Sequence, residues 1–210
     1  MGIFSKEYIL ALGLSFIITC FLLLMGFIIK NRKKYSNFLA FILIIQKIVE
    51  LTLLVLMENR NLLTNFSLVT LFIFICSLLY LLTNNKLIYN IIYHFMYIII
   101  LILLFHVGYY TKPFYLYVKT LGYFLILLTI ISGNFFQRQR IYFSGYVASI
   151  LSFFVLVILS GILNKSFGLN NLYLVSYLLQ AFTIFSYHIY VIILMVLNLI
   201  GITFLYLLKK

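Results

Sequence analysis

Residues 41–57 read FILIIQKIVELTLLVLM, an aliphatic run broken only by Gln46, Lys47 and Glu50. In water such a run would be one buried helix of a larger domain. In lipid it is a span about 20 residues long with three costly groups inside it. Composition decides between the two readings: 66% of the 210 residues are hydrophobic and 9% are charged, against about 25% charged in a soluble domain. Mean hydropathy is +1.21. No water-facing surface can be assembled from such a chain, and apolar runs recur along its whole length.

Polar punctuation divides the sequence into spans at 8–29, 38–57, 66–83, 87–110, 114–132, 141–163 and 184–207. A backbone in hydrocarbon must satisfy its own hydrogen bonds, and unbroken apolar runs favour helices over barrel strands. The expected fold is all-α: one polytopic transmembrane bundle over residues 1–210, with no soluble domain. It has about seven spans, or six if LYLVSYLLQAFTIF at 172–185 re-enters or lies at the interface.

Basic residues set the expected orientation, because short cytoplasmic loops are enriched in them. With seven spans, Lys30, Arg32, Lys33, Lys34, Lys86, Arg138, Arg140, Lys209 and Lys210 share one side, and Lys6, Arg60, Lys112 and Lys165 share the other. The first side should be cytoplasmic, placing the N-terminus outside a cell membrane of bacterial cytoplasmic type. The first span lacks a dominantly positive n-region, and its basic run follows it. It reads as a retained helix without lipidation, not as a cleaved signal.

The net charge of +12 does not indicate nucleic acid here, because the cations sit in short loops at the membrane surface, where they meet anionic head groups. With 18 Tyr, 22 Phe and no Trp, stretches such as YNIIYHFMY and GYYTKPFYLY read as interfacial belts. Cys20 and Cys76 lie far apart within spans, so neither a disulfide nor a metal framework is expected, and no cofactor motif occurs.

The candidate functional residues are those that interrupt the spans. At about 100° per residue, Gln46 and Glu50 lie about 40° apart and Lys47 and Glu50 about 60°, so all three share one helix face. Such groups turn inward, pair and mark functional paths. Glu50 has Lys47, Lys119 or His94 as prospective partners. In the fourth span Asn90, His94 and Tyr97 form a second stripe, while His106 lies on another face and His188 stands between tyrosines in the last span. Gly122, Gly133, Gly145 and Gly161 are positions where helices can bend. LGLS and SGYVAS are small-residue stretches for contact with a partner helix.

The segments ENRNLLTNFSLVTLFIFICSLLYLLTNNKLIYNIIYHF (58–95) and ILNKSFGLNNLYLV (162–175), with the closing FLYLLKK, resemble in spacing the YwaF-like group of small bacterial membrane proteins. That group includes a eukaryotic branch implicated in acyl transfer on ether phospholipids. The family motif carries a His and a Cys at the head of the third span, where FSLVTL places Val69 and Leu71. Lys119 stands near the position of the family's later His. Thiolate chemistry needs an activated Cys and a base, so the expectation is a non-enzymatic protein. Its membrane lipid or other amphiphile would lie in a polar cleft lined by Gln46, Lys47, Glu50, Asn90 and His94, with Lys119 beside it. The alternatives are a small transporter or transport subunit coupled through Glu50, a lipid acyltransferase built from other residues, and a subunit whose polar faces meet a protein partner.

Overall fold

A computed structural model describes residues 5–58, 68–105, 112–167 and 186–209. Among them the chain is almost wholly helical: α1 (Lys6–Ile28), α2 (Arg32–Glu58), α3 (Leu68–Thr83), α4 (Lys86–Phe105), α5 (Pro113–Phe135), α6 (Phe143–Phe167) and α7 (Tyr187–Leu208). Six are long and apolar enough to cross a membrane. The exception is α3, whose 16 residues reach about 24 Å at 1.5 Å per residue. Residues 172–185 and His106 lie outside the described residues.

The helix starts follow local chemistry. The Ser5 hydroxyl accepts from the Tyr8 amide at 3.3 Å, Asn31 Oδ1 from Lys34 at 3.1 Å, and Asn85 Oδ1 from Leu87 at 2.8 Å. Each satisfies amides that a first turn leaves without partners. Pro113 opens α5, where its missing N–H costs nothing. Two turns close through a left-handed residue, Asn84 (φ 54°) after α3 and Arg138 (φ 50°) after α5. Asparagine adopts that conformation readily, whereas arginine does so at a cost.

The helices alternate in direction, as shown by the contacts at their ends. At one end, Tyr80 of α3 donates to Gln137 Oε1 at 2.6 Å, and Gln137 Nε2 donates to Ser36 of α2 at 2.7 Å. There too Gln139 Nε2 reaches Asn84 at 2.8 Å, and Lys209, just after α7, reaches Asn134 of α5 at 2.7 Å. The α1/α2, α3/α4 and α5/α6 turns therefore meet the end of α7. At the opposite end, the Tyr8 hydroxyl donates to the Leu103 carbonyl, and Tyr115 packs with Leu53 and Leu54.

α4 and α5 are central: α5 packs on α1, α2, α3 and α4, and α4 also touches α6 and α7. Between them lies the core of Tyr35, Leu43, Ile73, Phe95, Leu128, Phe153 and Ile202. Lipid is as apolar as leucine, so close packing and interhelical hydrogen bonds hold the helices together. Tyrosines supply many of those bonds. Tyr35 donates to the Leu22 carbonyl at 3.0 Å and Tyr97 to Asn198 Oδ1 at 2.6 Å. Tyr89 and Tyr93 are buried. The tyrosines of YNIIYHFMY thus face inward as staples, correcting the expected interfacial belt.

Of the four glycines named as bend positions, Gly122, Gly133 and Gly145 lie against side chains of neighbouring helices. A Cβ on Gly133 would lie 2.5 Å from the Tyr89 ring and 2.6 Å from the Tyr80 hydroxyl, whereas one on Gly161 would meet nothing within 4 Å. Gly133→Ala should lower stability by about 1–3 kcal/mol. Gly161→Ala should be neutral or stabilising, since alanine is about 1 kcal/mol the better helix former. Thermal unfolding of the two variants in detergent checks the contrast; equal melting temperatures would contradict it.

Candidate functional site

The polar residues that interrupt the spans fall into two groups with different partners. The first joins α2 to α5. Gln46 Nε2 donates to the Val118 carbonyl at 2.9 Å and to Glu50 Oε2 at 3.1 Å. Lys47 Nζ meets the same Glu50 oxygen at 3.1 Å, and its ammonium stands 5.5 Å from the Phe74 ring centroid. The shared helix face has therefore become one network, with a single carboxylate oxygen receiving two donors. A Cβ at Gly122 would overlap the Gln46 amide, so glycine is what lets α5 come this close. Lys119 follows Val118 and holds its ammonium 5.8 Å from the Tyr115 ring.

This group lies off centre. Val118 is five residues after Pro113, about 8 Å along α5, so the network sits in the half of the bundle remote from the three turns. The Lys47 and Glu50 side chains keep 14% and 11% of their surface, while Ile44, Ile45, Ile48 and Val49 beside them are exposed. A nearly dry ion pair thus keeps a little exposed surface beside an apolar flank.

The second group joins α4 to α6. Asn90 is fully buried. Its amide donates to the Lys86 carbonyl at 2.7 Å and the Arg140 carbonyl at 3.1 Å, and its oxygen accepts from the Tyr142 amide at 2.8 Å. Asn90 is a clamp on the α5/α6 turn, with little capacity left for a ligand. His94 Nδ1 lies 3.0 Å from Ser149 Oγ, and that hydroxyl donates to the Gly145 carbonyl at 2.8 Å. Ser149 has one proton, so the network assigns it as acceptor from Nδ1–H. Nε2 is then a buried lone pair without a partner, and the imidazole centroid lies 5.6, 6.0 and 6.3 Å from the ring centroids of Tyr93, Tyr146 and Tyr206. Gly145 and Ser149 of SGYVAS are thereby used within the chain. Tyr97 turns to Asn198, and His188 is exposed.

A third feature was missed from the sequence. Where the turns meet, an open cleft of about 530 Å³ is lined by Asn134, Arg138, Gln139, Arg140, Ile141, Tyr206 and Lys209. Its signal was FQRQR at 136–140, which interleaves two glutamines with two arginines. The glutamines turn inward to Ser36, Tyr80 and Asn84, and Arg138 and Arg140 are exposed. Lys209 also stands 5.1 Å from the Tyr93 ring centroid, and burial pushes its amine below the usual lysine range.

Compared with protein-family models, curated proteins and solved structures, the chain matches none of them.

Glu50→Leu alone takes the carboxylate away from the buried Lys47 ammonium and should cost about 3 kcal/mol. Lys47→Met combined with Glu50→Leu removes both charges and should cost less than the single change. Thermal unfolding in detergent reads the order, and a double variant less stable than Glu50→Leu would contradict the pairing.

Proposed function

We propose that this multi-pass membrane protein binds a lipid or other amphiphile, without catalysis, at the polar face of Gln46, Lys47 and Glu50. The observation that carries the reading is the Lys47–Glu50 pair, held at 3.1 Å within a membrane-crossing helix yet retaining side-chain exposure on an apolar flank. Its charges already neutralise one another, so an entering ligand need not bring a counter-ion. A polar head able to donate and accept hydrogen bonds would share the Glu50 oxygens and the ammonium, while its chain lay along the exposed isoleucines of α2. A lipid is also the substrate class implied by the YwaF-like resemblance.

Lys119, one residue beyond the Val118 carbonyl that receives Gln46, stands at the edge of this face. In this reading Asn90 and His94 serve α4 and α6 and do not line the same site. Cations enrich cytoplasmic loops, so we further propose that the end bearing the three turns faces the cytoplasm and the N-terminus lies outside.

Mass spectrometry of lipids retained on the purified protein tests the binding reading. A species present on the wild type should be lost from folded Lys47→Met, Glu50→Leu protein. An unchanged lipid profile would reduce the pair to a packing element.

A further inference from the structure

The cleft at the turn-bearing end is distinct from the Lys47–Glu50 face and independent of the function proposed for that face. No carboxylate side chain answers its cations. The sequence contains three Glu and no Asp. Glu7 is in the first turn of α1, Glu50 is paired with Lys47, and Glu58 is the last residue of α2, so none lies at this end.

The cleft is also built. The Gln137 bonds to Tyr80 and Ser36, the Gln139 bond to Asn84 and the Asn90 clamp on Arg140 and Tyr142 fix the segment between α5 and α6. The two guanidinium groups therefore project from an anchored backbone. Arg138 holds φ at 50°, a conformation that costs a non-glycine residue about 1 kcal/mol or more. Glycine would relieve that cost, and arginine is present instead. Opposite them, Lys209 is held in place by Asn134 and the Tyr93 ring.

Two arginines and a lysine around a pocket, with amide groups between them, match a tetrahedral dianion. Guanidinium forks bind phosphate oxygens in pairs, and an ammonium adds a point charge. A monoester phosphate carries about −1.5 to −2 charge near neutrality, close to the three cations it would meet. We propose that Arg138, Arg140 and Lys209 form a binding site for a phosphate group. Tyr206, on the cleft wall, packs 6.3 Å from the ring of Phe143, which is exposed at the start of the membrane-crossing helix α6. A phospholipid can therefore present its phosphate from the side while its chains stay in the bilayer.

The experiment uses the full chain in neutral detergent and in nanodiscs. Native mass spectrometry compares retention of phosphatidic acid with retention of phosphatidylcholine on the wild type, which requires no variant to fold. Thermal unfolding with and without inorganic phosphate runs in parallel. The wild type should retain phosphatidic acid at least about tenfold more strongly, the scale of one charge-assisted hydrogen bond. That preference should vanish in Arg138→Gly with Arg140→Gln, and persist in Lys47→Met, Glu50→Leu. Stabilisation by inorganic phosphate without a phosphatidic acid preference would uphold the site and assign it a soluble phosphate compound. A wild type that neither prefers phosphatidic acid nor responds to phosphate would overturn the proposal. So would a preference left intact in the folded Arg138→Gly, Arg140→Gln protein.

Discussion

The structure depends on the absence of water from hydrocarbon. A polar atom inside the bilayer has no solvent to fall back on, so the chain must supply its partner. For the backbone the answer is the helix itself. For side chains it is the neighbouring helix, which turns each intramembrane polar residue into a statement about packing. Gln46 fixes α2 against α5, Asn90 fixes α4 against the turn before α6, and Tyr97 fixes α4 against α7. Such bonds are worth about 0.6 kcal/mol each on average in lipid. Glycines at 122, 145 and 201 leave room for the Gln46, Asn90 and Tyr97 side chains that make them.

The same constraint explains how the ionisable groups are distributed. Within the bundle the one carboxylate is paired with a cation in its own helix, and apart from Lys119 in α5 the remaining charges stand near the helix ends. Because the helices alternate in direction, three turns and the end of α7 converge, and most of the loop cations converge with them. FQRQR is the clearest case. Its glutamines satisfy the interior while its arginines stay outside, so one segment both closes the bundle and charges its rim.

Much of this was legible in the chain. The apolar runs identify every described helix, since in lipid length and hydropathy override the strand preference of Ile, Val and Tyr. Helical spacing alone joins Gln46, Lys47 and Glu50. What it does not show is which helix answers them: neither Val118, which acts through its carbonyl, nor Gly122, which acts by lacking a side chain, carries a polar signal. Asn90 and His94 were grouped with the α2 residues because both stripes are polar and intramembrane. Their partners are instead Arg140, Tyr142 and Ser149, on the other side of α4. Tyrosine was read as a belt residue from composition, although its direction depends on the neighbouring helix. The arginine-lined cleft needed residues 134 and 209 to meet, a separation that no local pattern reveals.

The most direct test of this account is side-selective thiol labelling of single-cysteine variants in sealed native membranes, with Cys20 and Cys76 replaced by alanine. Cysteines at Asn31, Asn85 and Arg138 should react from one side, and those at Ser5 and Ser166 from the other. If any of the first three reacted together with the second pair, the cationic turns would not share one face of the membrane, and both the alternating arrangement of helices and the shared cationic end would be contradicted.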